Sequence, residues 1–223
     1  MTTAMLRAST IGTIVAGLLM FASVPAHAAQ DVIGESGGLT LNDVRLGFGL
    51  LPISSNTETQ TNGVTTFRKR GQFDLTGRTS VQWMLPLSEL DNDGGWIWGL
   101  ELSRNRYIQD ASVSQPQLDV VSYAITAHFG LGWVLAPHFH LEVNPLFGLG
   151  VTQMNSGTGL GRYSEYGGRF GIYWTSESRW QLGVSYAYLW TRAEQSQTTG
   201  GVNQDTLVRT DGATVSVQLG YRF

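Results

Sequence analysis

Three histidines lie beyond residue 28, and two of them have a spacing that could bind a metal ion. His138 and His140 are two residues apart, and Glu142 follows after another two. On an extended strand this spacing puts all three side chains on one face, where two imidazoles and a carboxylate could coordinate zinc. The chain has no cysteine to complete such a set. We therefore predict no metal and no cofactor. We expect instead that both histidines are hydrogen-bonded in the interior, or that one of them is hydrated at a strand end.

Basic residues form the second candidate group, and nearly all of them are arginines. Guanidinium groups bind phosphate through charge-assisted hydrogen bonds, so arginines gathered at one edge of a fold could form a phosphate-binding rim. The residues that we expect at such a rim are Arg68, Lys69, Arg70, Arg104 and Arg106. Ordinary loop solvation explains the same residues equally well. The formal net charge of −3 argues against a nucleic-acid binder.

A third group consists of ionisable residues that fall between apolar positions in alternating segments. Its members are Asp43, Arg45, Asp74, Arg78, Glu101, His128, Glu142 and Arg169. Both signs of charge occur in similar numbers. In a confined interior an unpaired charge is costly, so we expect these residues to form ion pairs. Two interpretations stay open, a structural plug of salt bridges or a narrow polar conduit.

The elements that must hold these groups are strands, because the chain alternates apolar and polar residues with a period of two. Eight alternating stretches follow Gly38, at approximately 39–52, 67–86, 95–109, 119–135, 138–153, 163–175, 179–192 and 207–223. They exceed the usual strand length of about 5–6 residues and reach the 9–11 that a tilted membrane strand needs. The pattern predicts an all-β, eight-stranded antiparallel up-and-down transmembrane barrel, in which the first and last strands pair.

The predicted connections alternate between long and short. The long polar ones are Ile53–Thr66, Asp110–Leu118, Met154–Arg162 and Ala193–Thr206, and the tight ones are Ala136-Pro137 and Ser176-Glu177-Ser178. On the apolar parity, aromatic residues gather next to both sets of connections, with aliphatic residues between them. Two aromatic belts match the two interfaces of a bilayer. We therefore expect the apolar face to point outward to lipid. The alternative is a soluble, lipocalin-like barrel with its apolar face inside.

The first 28 residues have the pattern of a secretory signal peptide. Arg7 provides positive charge, the stretch 11–21 is apolar, and Ala26-His27-Ala28 is a cleavage site of the A-x-A kind. The apolar run is shorter than the about 20 residues that a membrane-spanning helix needs. The predicted domains are a cleaved signal peptide at 1–28 and a barrel at 29–223.

The chain ends in Gln218-Leu219-Gly220-Tyr221-Arg222-Phe223, an alternating strand with a terminal aromatic residue. With the leader, the alternation and the belts, this ending resembles the small eight-stranded bacterial outer-membrane barrels of the OmpA-barrel and OmpX-like superfamily. The resemblance implies a location in the cell outer membrane. It also implies outer-membrane lipids and lipopolysaccharide as partners. Tyr221 and Phe223 would be the signal for transient contact with the barrel assembly machinery.

No motif for a specific activity accompanies this architecture. We predict a non-enzymatic integral outer-membrane protein that presents its connections for surface interaction, with an unknown surface ligand. One alternative is a narrow pore for small solutes. The other is an enzyme that modifies lipid A, but His128 and His138 are not followed by the His-x-Ser pattern of lipid A deacylases with this architecture.

Overall fold

The computed structural model describes residues 43–50, 53–72, 75–86, 93–109, 117–155, 159–199 and 201–223. The predicted signal peptide and Asp74 lie outside these ranges. The strands in them are β1 (Asp43–Leu50), β2 (Ile53–Thr61), β3 (Val64–Gln72), β4 (Leu75–Pro86), β5 (Gly95–Gln109), β6 (Leu118–Ala136), β7 (Phe139–Met154), β8 (Gly161–Thr175), β9 (Trp180–Thr199) and β10 (Val202–Arg222). Within the described ranges, no helix has the length and apolarity to cross a bilayer.

Eight of the strands form a closed antiparallel ring in the order β1-β4-β5-β6-β7-β8-β9-β10. The ring closes because β1 pairs with β10, from Asp43 opposite Arg222 to Leu50 opposite Val215. This confirms the predicted fold class and the pairing of the first and last strands. Four steps around the ring separate β1 from β7, and four separate β4 from β8, so each pair stands on opposite walls.

The connections at one end of the ring differ from the sequence prediction. We call this the upper end, and the end with the turns at 137–138 and 176–179 the lower end. The predicted loop Ile53–Thr66 is instead the hairpin β2–β3, which pairs with β10 above β1. Its turn, Asn62-Gly63, has φ of 50° and 80°, the geometry of a type I′ turn. The predicted loop Ala193–Thr206 is likewise part of a hairpin, because β9 extends to Thr199 and β10 starts at Val202.

Burial alternates along the ring strands, and polar residues face the interior while apolar residues face outward, as in a membrane barrel. In β9, for example, the residues from Gln181 to Gln195 alternate between buried side chains, which are polar or small except for Leu189, and more exposed, mostly apolar ones. Exposed large apolar residues cover the outer face of the other ring strands as well. The soluble-barrel alternative requires the opposite arrangement, because water would contact the polar face.

The two predicted aromatic belts are present on the exposed face. The lower belt contains Trp96, Phe139, Trp174 and Trp180, and the upper belt contains Tyr123, Phe147, Tyr166 and Trp190. On β9, ten residue steps separate Trp180 from Trp190. At a rise of about 3.3 Å per residue and a strand tilt of about 40°, these steps span about 25 Å, the height of a bilayer's apolar band.

Pro145 interrupts the ladder between β6 and β7 without shifting it. His128 pairs with Leu146 and Leu131 with Val143, in the same register on both sides of the proline. The two intervening positions form no pair, as expected where an N–H donor is missing. A proline at this position of a strand predicts a bulge or a local distortion, and the structure shows the local distortion, as two missing pairs without a register shift. A register shift in this ladder lies instead between Val134 and Ala136, next to the lower turn.

An apolar cluster fills the upper end of the interior, which the sequence analysis did not predict. Its buried members are Tyr107, Val120, Ala124, Met154, Tyr163, Ala193 and Val208, with Leu118 packed against them. These residues come from β5, β6, β7, β8, β9 and β10, so the cluster extends around most of the ring. Buried polar residues such as Ser122, Thr152 and Gln195 lie at the same height, so the cluster is the apolar part of a mixed layer above the ion networks.

Candidate functional site

A first ion network lies near the lower end of the interior, and we call it the lower network. It consists of Asp43, Arg45, Glu142 and Arg222. Arg45 donates two hydrogen bonds to Glu142, at 2.8 and 2.5 Å, and one to Asp43 at 2.7 Å. Arg222 donates through Nε to the other oxygen of Asp43 at 3.0 Å. Since β1 and β7 are opposite walls, Arg45 crosses the full width of the ring.

Aromatic rings and glycines hold Arg45 in place. Its guanidinium carbon lies 4.0 Å from the centroid of the Tyr173 ring, a cation–π contact. The imidazole of His140 stacks on the same tyrosine with the ring centroids 5.1 Å apart. Tyr173 fits because two inward positions beside it lack side chains: a Cβ at Gly171 would lie 2.7 Å from its ring, and one at Gly183 would overlap it.

A second network lies above the first, and we call it the middle network. It consists of Arg78, Glu101, Glu165 and Arg169. Arg78 donates to Glu101 at 2.7 and 2.9 Å and to Glu165 at 2.7 and 2.8 Å. Arg169 donates to the second oxygen of Glu101 at 2.6 Å. Arg78 on β4 thus binds Glu165 on the opposite wall, β8, and crosses the ring as Arg45 does below.

Neutral groups satisfy the remaining lone pairs of the middle network. Glu165 accepts hydrogen bonds from the Thr126 hydroxyl at 2.6 Å and the Tyr163 hydroxyl at 2.9 Å. The imidazole of His128 lies 3.0 Å from Glu101. Because Tyr163 also belongs to the upper apolar cluster, it links the middle network to the packing above it. The charges are therefore fixed from several strands at once.

The structure places seven of the eight predicted interior residues inside the ring. Asp43, Arg45, Glu142, Arg78, Glu101, Arg169 and His128 are all buried there. Two members of the networks, Glu165 and Arg222, were not predicted. Glu165 has the same parity as the predicted Arg169, so alternation alone could have found it. Arg222 shares its inward parity with Gln218 and Gly220 of the terminal motif, so alternation could have found it as well.

The histidines do not form the pair that their spacing suggested. His138 lies in the lower turn with φ of 79° and is exposed, whereas His140 is buried inside the ring. The prediction that both share one strand face is therefore wrong, because the turn reverses the chain between them. Asp43, His140 and Glu142 do bring potential ligand atoms within 4.8 Å of one another. Both carboxylates already bind arginine there, so a metal ion would have to displace a guanidinium.

The buried histidines lack the geometry of a catalytic base for serine. His128 and His140 direct Nε2 at Glu101 and Glu142, at 3.0 and 3.1 Å. The Nδ1 atom of each is buried and has no hydrogen-bond partner in the described part of the chain. A base that activates a serine needs one ring nitrogen within hydrogen-bond reach of the hydroxyl.

The predicted rim residues lie on two strands. Arg104 and Arg106 are exposed on β5, and Arg106 donates two hydrogen bonds to Asp119 on β6, at 2.8 and 3.2 Å. Arg68, Lys69 and Arg70 belong to β3, of which the structure describes the backbone. At the lower end, Tyr221 makes an edge contact with Trp180, and Phe223 is half exposed. The assembly role of Tyr221 and Phe223 stays a prediction.

No protein-family model matches the chain, and no curated protein sequence matches it. Similar solved structures include the outer membrane protein OprG from Pseudomonas aeruginosa, with 16% identity, 83% of this chain and 98% of that chain covered, and a TM-score of 0.48. For Neisserial surface protein A the identity is 12%, the coverage 83% and 99%, and the TM-score 0.43. For the outer membrane protease OmpT from Escherichia coli the values are 10%, 81% and 97%, and 0.37.

These identities and TM-scores are too low to carry a role from any of the three proteins to this chain. The architecture itself is clear from the described residues: a closed ring of eight antiparallel strands with a polar interior and an apolar exterior. Closed barrels of this polarity are outer-membrane structures, since closure leaves no unpaired strand edge in lipid. The predicted fold and the predicted outer-membrane location are thereby confirmed.

Proposed function

We propose that the protein is a non-enzymatic, non-conducting barrel of the outer membrane that acts through its outer surface and its upper hairpins. One observation supports the closed interior above all. Arg45 and Arg78 each bind a glutamate on the opposite wall of the ring, at two different heights. A side chain that spans the diameter leaves no room for a solute beside it in a ring of about eight strands.

The conduit alternative is weaker for an energetic reason. A continuous water path would have to pass both networks and the upper apolar cluster. Opening either network would leave a carboxylate and a guanidinium without partners in a confined space, which costs several kcal/mol per ion. The charges inside the ring therefore support a plug that joins opposite walls.

Planar-bilayer recording tests the closed interior. Wild-type protein should give a flat current trace after insertion, with folding verified by heat-modifiable gel mobility. The variant Arg78→Ala, which removes one crossing side chain, should raise the frequency of transient openings, while Arg104→Gln on the outer face should not. Stable conductance steps from the wild type would contradict the proposal.

The absence of enzymatic activity needs its own test, because lipid A is the substrate closest to the barrel. We expect the mass spectrum of lipid A to be the same with and without expression of the folded protein. Any reproducible mass change that disappears on replacing His128 or His140 would contradict a non-enzymatic role. A change that persists in both variants would point to a different site and would contradict it equally.

The surface partners that we propose are lipopolysaccharide, at the basic rim, and the barrel assembly machinery, which would bind the C-terminal strand transiently. Reversing the charge of Arg68, Lys69 and Arg70 together should weaken lipopolysaccharide binding and leave the barrel folded. Unchanged binding would remove this segment from the rim. For the assembly signal, Phe223→Ala should lower the amount of folded protein in the outer membrane.

A further inference from the structure

Three of the arginines next to the predicted long connections form a group on the outer face of the upper end, in the same row as Arg70 of the predicted rim, two strands away. We call Arg162, Arg192 and Arg209 the arginine cluster; they lie on β8, β9 and β10, and all three are exposed. Arg192 stands directly opposite Arg209, and Arg162 directly opposite Glu194. Directly opposed residues have their Cβ atoms about 4.5–5.5 Å apart, and diagonal neighbours such as Arg162 and Arg192 about 7–8 Å, so the three long side chains can reach one ligand.

The cluster has an excess of positive charge. Arg192 donates hydrogen bonds to Glu194, two residues along the same strand. In the described part of the chain, Arg162 and Arg209 have no ion-pair partner. Asp211, two residues from Arg209 on the same strand, accepts a hydrogen bond from the Tyr188 hydroxyl at 3.0 Å. Like charges placed directly opposite each other destabilise a sheet, and an anion bound between them would remove this repulsion.

The cluster lies immediately above an aromatic surface. Tyr166 and Trp190 are paired one outward position below Arg192 and stack with their ring centroids 5.3 Å apart. Tyr188 contacts Trp190 edge-on at 4.8 Å. Tryptophan and tyrosine mark the depth of the membrane interface, so a side chain directly above them reaches the depth of headgroup phosphates.

We propose that the arginine cluster binds the phosphate of a phosphorylated lipid headgroup, whose acyl chains then lie along the aromatic and apolar surface below. This site rests on the proposed function, in which the protein acts through its outer surface. Guanidinium groups bind phosphate oxygens in pairs, which suits a fixed headgroup better than a single ammonium does. Free inorganic phosphate shares the charge but would make no use of the aromatic surface, so a lipid is the source that the position favours.

The matched control is at the lower end of the ring. Arg179 is exposed in the lower turn, at the opposite end from the arginine cluster, and is not part of the basic rim. The variant Arg179→Gln therefore removes a surface charge without touching either proposed site, and it matches Arg209→Gln charge for charge. The test variant is Arg162→Gln/Arg192→Gln/Arg209→Gln, and Arg209→Gln alone serves if the triple variant does not fold.

The experiment measures retention of diphosphorylated lipid A by the folded protein in phosphatidylcholine nanodiscs, using native mass spectrometry. We expect retention by the wild type and the control, and a loss of about tenfold or more in the triple variant. Chemically dephosphorylated lipid A should be retained equally weakly by all. Equal retention by the wild type and the triple variant would overturn the site.

A competition experiment with inorganic phosphate distinguishes a lipid headgroup from a free phosphate ion as the ligand. At millimolar concentration, inorganic phosphate should not displace lipid A from the wild-type protein. Displacement of lipid A by inorganic phosphate at this concentration would show a general anion site and would overturn the assignment to a lipid. Failure of the wild type to insert, or a stable conductance, would contradict the proposed function instead, so the two failures are distinguishable.

Discussion

The lower and middle networks contain the same chemistry in different surroundings. Each has two arginines and two carboxylates, and each has one arginine that reaches the opposite wall. The lower network begins at the first residue of β1 and includes Arg222, so part of it forms only when β1 and β10 meet. The middle network joins β4, β5 and β8 and lies between the lower network and the upper apolar cluster. Distance from the strand ends, more than the number of charges, should therefore set how much each network contributes to the free energy of unfolding.

The largest expected effect is that of Arg78→Met in the middle network. This change leaves Glu165 without a cation inside the ring, and breaking a buried pair in this way costs about 3–5 kcal/mol. Urea unfolding of protein refolded in lipid vesicles, followed by tryptophan fluorescence, measures the loss. Adding Glu165→Gln should recover part of it. A loss below about 1 kcal/mol would show that water reaches this layer.

The matching change in the lower network is Arg45→Met, and its effect should be smaller. Glu142 loses its guanidinium but keeps the imidazole of His140 at 3.1 Å, and Asp43 keeps Arg222. We expect a loss of about 2–3 kcal/mol in the same unfolding assay. If this variant is less stable than Arg78→Met, the lower network is the more shielded of the two, and the comparison reverses.

A pair of glycine substitutions in β8 separates interior crowding from strand propensity. A Cβ at Gly171 would lie 2.7 Å from Tyr173, whereas one at Gly168, on the outer face, would meet nothing within 4 Å. Gly171→Ala should therefore cost about 1–3 kcal/mol, because Tyr173 must move away from Arg45 and His140. Gly168→Ala should change the unfolding free energy little. Equal effects would mean that the lower network tolerates displacement of Tyr173.

The smallest expected effect belongs to the exposed pair Arg106–Asp119. Exposed ion pairs contribute little to stability, and salt screens them. Arg106→Gln should accordingly shift the urea midpoint only slightly, and less at high salt. A loss as large as that of Arg45→Met would show that the outer ion pair supports the barrel as strongly as the interior does.

Much of the barrel could be predicted from the period of two alone. The range 95–109 was predicted for a strand and matches β5, and the inward parity of Arg45 and Glu142 followed from their neighbours. Alternation states which face a residue occupies, and closure of an even number of strands follows from the need to pair both edges. These two rules were enough for the fold, and the two aromatic belts were needed in addition for the polarity of the wall.

The partners inside the ring could not be predicted in the same way. That Arg45 meets Glu142 depends on the vertical offset between opposite strands, which the stagger of the closed ring sets and no local pattern records. The upper hairpins were missed for a different reason. Their polar strands looked like loops, although Asn62-Gly63 is a strong hairpin signal, and Gly200-Gly201 is a weaker one.

The length of the upper hairpins has a consequence for recognition. β10 has 21 residues, so at a tilt of about 40° it rises about 50 Å, twice the thickness of the apolar band. Its upper part is hydrogen-bonded to β9 and β2, and β2 to β3, which makes one sheet of the projecting segments. A molecule that docks on this sheet meets a preorganised backbone, and its affinity is not reduced by the entropy of ordering a flexible loop. Residues near the two turns can therefore vary to change what is bound, while the wall in the membrane stays the same.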